Sequence, residues 1–425
     1  MNSHFFLSKM IRDIIILIEI EDTIMNIFKK IYCRTYQFIF KLALPFMPYR
    51  KPHILSNCED IPDVLKKHKI ESVLIVTDKG IVNAGLLDNL VKPLEEKHIR
   101  YVVYDKTVPN PTISNIEEAR TYYLENSLQG IIALGGGSAL DLAKITGARV
   151  VKPKQKVEKM KGVLKIMKRL PLLIAIPTTS GTGSEVTIAA VITDDKTHHK
   201  YPINDFCLIP RYAVLDYRNT LKLPPHITST TGMDALTHAV EAYISRTRTR
   251  ETKMMSLKAI KLIKENLKEC YVNPSNAEAR KNMLFASHYA GISFTKAYVG
   301  YVHALAHTLG GKYNIPHGLA NAIILPVMLE EYDKSIYRKA YKMALFAGIA
   351  NKEDSKKDAT EKFISWIYQM NKDMNIPLSI KEIKEEDLEE LSIYADKEGN
   401  PLYPVPKLMD KEKLKQMFIK VKNKE

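Results

Sequence analysis

Read for its alternation of apolar and polar positions, the chain changes character twice. Residues 1 to about 50 are apolar and aromatic with interspersed charge and end in LALPFMPYRKPH, which predicts one or two amphipathic helices. From about Ser56, short β-rich runs (ESVLIVT, IRYVVYD, GIIALGG, LLIAIPT and AAVIT) alternate with helical stretches. Such alternation predicts a parallel sheet with helices on its faces. After LPPH, Leu223 to His226, the strand runs cease. Stretches such as MMSLKAIKLIKENLKECY and EKFISWIYQMNK then repeat apolar residues at helical spacing. The predicted organisation is an arm over 1–50, an α/β domain over 51–223 and an all-helical domain over 224–425.

Composition narrows the classes. At 425 residues, 45% hydrophobic and 26% charged, the chain is globular, and disorder as the dominant state is excluded. A net charge of +15 brings nucleic acid and anionic membranes into view as partners. The cations are mostly Lys scattered over predicted helix surfaces, with a Lys-rich tail after Asp410. There is no Arg-aromatic interleaving and no zinc-finger spacing, so no nucleic-acid partner is expected. Cys33, Cys58, Cys207 and Cys270 form no CxxC pair, so neither a disulfide framework nor a thiolate metal site is indicated, and a reducing cytoplasm is the expected location. The apolar core IIILI near the start is short and surrounded by Asp13, Glu19, Glu21 and Asp22. Neither a secretory signal nor a membrane span is expected from it. The arm is expected to pack on the protein or a neighbouring subunit rather than anchor to a membrane surface.

Two glycine-hydroxyl loops follow apolar strands. In GIIALGGGSALDLAK, Gly135, Gly136, Gly137 and Ser138 open a helix whose free N–H groups favour an anion, as a pyrophosphate cradle would. In IPTTSGTGSEVT, Thr178, Thr179, Ser180, Thr182 and Ser184 offer hydroxyls, while Gly181 and Gly183 allow tight turning. Loops of this kind at consecutive strand ends point to one nucleotide crevice. Asp78 ends the strand ESVLIVT, where a carboxylate would bind ribose hydroxyls. The usual fingerprint places that acid about 20 residues after the glycine loop; here it comes before, and no GxGxxG exists.

Four of the twelve histidines fall in two short motifs of the helical half. Asp234 and His238 in TGMDALTHAVEAY are spaced i and i+4, as are His303 and His307 in GYVHALAHTLGGKYNIPHGLANA, and His317 follows the Gly-Gly break. One carboxylate with three imidazoles makes a competent site for a divalent metal such as Fe2+ or Zn2+. The absence of cysteine ligands argues against a zinc site of two cysteines and one histidine.

GGGSALDLAK, PTTSGTGSEVT, DALTHAVEAY and HALAHTLGGKYNIPHGLANAIILP together resemble the iron-containing (group III) alcohol dehydrogenase family, over about residues 56 to 425. The resemblance implies a dinucleotide-binding α/β domain followed by an all-helical metal-binding domain, the dehydroquinate synthase-like architecture, with the active site between them. It implies Asp234, His238, His303 and His317 as metal ligands and His307 near the nicotinamide. VTDKG resembles the family segment that makes Asp78 the adenosine-ribose acid, which accounts for the reversed order. By the same resemblance Asn110 in VPNPT and Lys200 in HHKYPI contact the cofactor. The expected enzyme transfers a hydride between NAD(H) and a small primary alcohol or aldehyde, with Fe2+ as metal and Zn2+ as the alternative, in a homo-oligomer. His307 is expected to relay the proton. The rival activities are a glycerol dehydrogenase-like oxidoreductase of polyols, the lyase chemistry of dehydroquinate synthase and, from a different class, a membrane-surface or nucleic-acid-binding protein with a relict site. The full three-histidine set and the unbroken HGLANAIILP favour the alcohol enzyme. The arm lies outside the family pattern.

Overall fold

The computed structural model describes residues 27–196 and 200–424. The arm is helical over 27–43 (α1); the segment around IIILI lies outside the described residues. The α/β part carries strands β1 (His53–Leu55), β2 (Ser72–Val76), β3 (Arg100–Tyr104), β4 (Gly130–Gly135), β5 (Gly162–Val163), β6 (Leu172–Pro177), β7 (Ala189–Thr193), β8 (Lys200–Asn204) and β9 (Tyr212–Val214). Between them run helices α2 (Ile61–Lys67), α3 (Lys79–Asn83), α4 (Asp88–Glu96), α5 (Ile113–Glu125) and α6 (Gly137–Val151).

Six strands form one sheet in the order β1-β9-β6-β4-β2-β3, every pair parallel. Its central strands β4 and β6 are apolar throughout, and β2 is apolar from Val73 to Val76, because both faces are covered. Leu74, Val76, Ile131 and Ala133 enter one core, while Val73, Ile75, Ile132 and Leu134 enter the other. The chain goes from β2 to one side for β3 and to the other for β4, so the strand order reverses there. A crevice at the carboxyl ends of β2 and β4 is where a ligand of such a sheet binds.

The AAVIT run does not join this parallel sheet. As β7 it pairs antiparallel with β8, in a separate sheet of order β5-β8-β7. The connection from Thr193 to Lys200 is too short for a parallel crossover, which needs about a dozen residues or more.

The remainder is helical: α7 (Pro225–Ile244), α8 (Arg250–Val272), α9 (Ala277–Ala297), α10 (Tyr301–Tyr313), α11 (His317–Tyr332), α12 (Tyr337–Phe346), α13 (Lys356–Asp373), α14 (Leu388–Gly399) and α15 (Lys411–Asn423). These surround one apolar core to which α7, α8, α10, α11, α13 and α15 all contribute. Helix α7 is buried continuously from Gly232 to Ile244, yet carries Asp234, His238 and Glu241 within that stretch. Buried charge of this kind needs partners, because an isolated ion in an apolar interior is costly. No helix among the described residues is long and apolar enough to cross a membrane.

Candidate active site

A cavity of about 320 Å³ opens between the sheet ends and the helical core. Gly137, Ser138, Thr182, Asn110 and Lys200 line one side, and Asp234, His238, His303, His307 and His317 line the other.

On the helical side, α7, α10 and the first turn of α11 deliver Asp234, His238, His303 and His317. One ligand atom from each lies within 4.8 Å of all the others. Asp234, His238 and His303 are almost fully buried, and His317 faces the cavity. Burial depresses the pKa of all three imidazoles: His303 falls well below its ordinary value and His317 to about 3. Neutral imidazole is the form that donates a lone pair to a metal. His238 is sandwiched between the rings of Phe294 and His303, at 4.1 and 4.5 Å. Its Nδ1 is buried without a hydrogen-bond partner, 4.0 Å from Asp234 Oδ2. An orphaned ring nitrogen beside a carboxylate and two more lone pairs is a donor set that fits a divalent cation.

A second layer holds these groups in place. Glu241, one turn after His238 on α7, accepts hydrogen bonds from the backbone N–H of Gly300 (2.8 Å) and Val302 (2.9 Å) and from His303 Nδ1 (2.6 Å). One carboxylate thus caps α10 and fixes the His303 tautomer so that Nε2 faces inward. Gly300 is required for this approach, since a Cβ there would lie 2.7 Å from Glu241 Oε1. Burial pushes the Glu241 carboxyl up to about 8, against those N–H donors. Asn321, four residues after His317, points its amide nitrogen at Asp234 Oδ1 (2.7 Å), His317 Nε2 (3.1 Å) and His303 Nε2 (3.3 Å). Three acceptors therefore converge on one point.

His307 is placed beside this cluster. Its ring stacks on His317 at 5.0 Å, and its Nδ1 donates to Glu398 Oε1 at 2.6 Å. The same oxygen accepts the Tyr403 hydroxyl at 2.7 Å.

On the sheet side, the candidate residues divide. Lys200 Nζ donates to Asn110 Oδ1 at 2.6 Å, so these two meet at the cavity wall. Asp78, Gly135, Gly136, Thr178 and Thr179 are not among the lining residues; they stand beyond the cavity, at the carboxyl ends of β2, β4 and β6. Asp78 Oδ1 accepts from the Ile81 N–H at 3.0 Å and caps α3. Its other oxygen faces Gly135, where an added Cβ would sit 3.6 Å from Oδ2 and 2.7 Å from the Ala139 side chain. The acid and the glycine loop, distant and reversed in sequence, are neighbours because β2 and β4 are. Gly136 caps α6 without a side chain, which leaves the first N–H groups of that helix for a ligand. Thr178 is buried, and its N–H is spent on the Gly135 carbonyl.

Sequence reasoning missed Asp141, Lys144, Glu241, Asn321 and Glu398. Fully buried Lys144 bonds Ser184 Oγ, Thr187 Oγ1 and the Ala189 carbonyl, while Asp141 accepts from Ser184 Oγ and the Val191 N–H. These ties lock α6 onto the second loop. Their signal lay in the run GGGSALDLAK, where both residues follow the glycines at helical spacing. Glu241 was visible as a third polar residue on the Asp234–His238 face; Glu398 is 91 residues from His307 and carried no local signal.

Comparison with known proteins places this geometry. The profile described as "Iron-containing alcohol dehydrogenase" matches residues 55–217, and the one described as "Fe-containing alcohol dehydrogenase family, C-terminal" matches 228–421. Alcohol dehydrogenase 4 of Saccharomyces cerevisiae is 38% identical over 79% of this chain and 87% of its own length. The NADPH-dependent butanol dehydrogenase of Clostridium saccharobutylicum is 34% identical over 75% and 82%. Among solved structures, an alcohol dehydrogenase from Oenococcus oeni superposes with a TM-score of 0.84 at 35% identity, covering 88% of this chain and all of its own.

Proposed function

Because this chain belongs to the iron-containing alcohol dehydrogenase family and is an oxidoreductase of alcohols and aldehydes, we propose NAD(H) as its hydride carrier and Fe2+ as its metal, held by Asp234, His238, His303 and His317. The observation that carries the reading is the convergence of one carboxylate and three neutral imidazoles on the cavity floor, opposite the glycine ledge. Zn2+ is the alternative occupant of the same donors.

Bound there, a divalent metal supplies Lewis acidity to the oxygen of a small primary alcohol or aldehyde. Bound NAD(H) would provide the hydride-carrying chemistry. The residues of the chain do the rest. Asp78 favours the hydroxyls of an adenosine ribose through Oδ2, and the N–H groups at the start of α6 favour the pyrophosphate. Asn110 and Lys200, bonded to one another, position the nicotinamide end. Alcohol oxidation also releases a proton from oxygen, which needs an exit. With Nδ1–H committed to Glu398, His307 presents Nε2 as the acceptor, and Glu398 stabilises the imidazolium that results. Tyr403, donating to the same Glu398 oxygen, keeps that carboxylate from turning away.

The NADPH-dependent butanol dehydrogenase among the relatives indicates that cofactor choice is set within the family rather than by it. Asp78 therefore supports the NAD(H) reading, since its carboxylate opposes a 2′-phosphate. Reduction of butanal by iron-loaded protein, followed by loss of NADH absorbance in parallel with NADPH, tests it. Faster turnover with NADH is expected; preference for NADPH, or no reduction with either, would overturn it.

A further inference from the structure

Helix α1 precedes both family-matched segments, which begin at residue 55, yet it reaches the cavity wall. Its inward face carries Cys33 and Gln37, both almost fully buried, with Arg34 and Phe40 beside them. Gln37 Nε2 donates to the carbonyls of Pro401 (3.2 Å) and Tyr403 (2.8 Å). Arg34 donates to those of Val405 (2.8 Å) and Pro406 (3.2 Å). These carbonyls belong to the connection between α14 and α15, which sends Leu402 and Tyr403 into the cavity.

Phe40 reaches the opposite stretch of the same wall. Its ring meets that of Tyr298 edge to face, 5.0 Å apart. Tyr298 and Val299 line the cavity just after α9. Tyr298 holds φ at +62°, a conformation that a non-glycine residue keeps only when its surroundings enforce it. The apolar wall formed by Phe294, Tyr298, Val299 and Leu402 is thus braced from outside at two points by one helix.

We propose that α1 is a specificity-setting brace: Gln37 and Phe40 fix Tyr403, Leu402 and Tyr298 and so limit the length of the alcohol the cavity accepts. The proposal rests on reading the cavity as the alcohol pocket. Neither residue touches the cavity itself, so both are positioning residues. A buried glutamine spanning two loop carbonyls costs entropy and desolvation that a purely space-filling helix would avoid. Its role is to hold a shape.

Two measurements on full-length, metal-loaded protein decide this. Gln37→Ala leaves the Pro401 carbonyl without its partner and the Tyr403 carbonyl with the Val405 N–H alone. Amide hydrogen exchange at Leu402, Tyr403 and Val405 should then quicken by about tenfold, with bound metal unchanged. The ratio of kcat/KM for 1-hexanol to that for 1-propanol should rise by about tenfold, because a loosened wall admits the longer chain. Phe40→Leu, which leaves every hydrogen bond in place, should shift the ratio in the same direction, while Phe40→Tyr should keep the parent's ratio. If Gln37→Ala does not fold, the Phe40 pair carries the test. An unchanged exchange rate, or a loosened loop with an unmoved ratio, would overturn the brace. If the parent protein turns over no alcohol, the pocket reading fails, and exchange still decides whether α1 holds the wall.

Discussion

The four side chains that converge on the cavity floor come from three helices, whereas the groups that face them across the cleft come from the ends of strands. On the helical side each residue acts through its side chain, and i, i+4 spacing puts pairs of them on one face. On the sheet side the groups offered to a ligand are largely backbone, at Gly136 and the first turn of α6. Position there is set by which strands are neighbours. The two sides also differ in burial: Asp234, His238 and His303 are sealed in, while Asp78 and Ser138 are only half-buried. Losing a group on the first side should therefore dismantle a centre, and losing one on the second should change a preference.

Substitution on the sealed side should have the largest effect. His303→Ala removes one of four donors and one of the three hydrogen bonds that hold Glu241. Bound metal should fall to about a tenth or less, and alcohol turnover by about a thousandfold. Elemental analysis beside circular dichroism checks this; full metal content in a folded variant would remove His303 from the ligand set. His307→Ala should keep the metal and lose turnover by about a hundredfold or more, as the loss of a proton-transfer group does. If metal leaves as well, His307 belongs to the centre and not beside it.

The next effect is one layer out. Glu241→Gln retains the shape but turns one acceptor oxygen into an amide donor facing N–H groups, and should weaken metal affinity by about 10 to 100-fold, measured by competition with a chelator. Undiminished affinity would make Glu241 a helix cap only. On the open side, Asp78→Gly should leave metal and kcat unaltered. It should raise the NADP(H) to NAD(H) ratio of kcat/KM by about tenfold, by removing repulsion of a phosphate bearing close to two charges. Steady-state kinetics with both cofactors measures it, and an unmoved ratio would leave Asp78 as no more than the cap of α3 that its other oxygen already makes.

The same contrast governs what the sequence revealed. Asp234, His238, His303 and His317 were legible because helical periodicity is local, and the fold needed only to bring α7, α10 and α11 together. The five strand runs were legible as apolar blocks, but not their partners: AAVIT reads like the others and pairs elsewhere, since a short connection dictated an antiparallel neighbour. The three-residue strands β1 and β9 were too brief to stand out. The nearness of Asp78 to Gly135 is a property of sheet order, and no spacing rule contains it; the family resemblance supplied it. Glu398 and the grip of Gln37 on the loop before α15 join segments far apart in the chain, through contacts that only tertiary packing makes.

Hydride transfer here is proposed to depend on a metal held by those four side chains. The most direct test is to strip the purified protein with a chelator and restore one equivalent of Fe2+ or Zn2+ without oxygen, following NADH formation from 1-butanol. Activity should vanish on stripping and return with about one metal per chain in the parent, but not in His317→Ala. Undiminished alcohol oxidation by the metal-free protein would contradict the account.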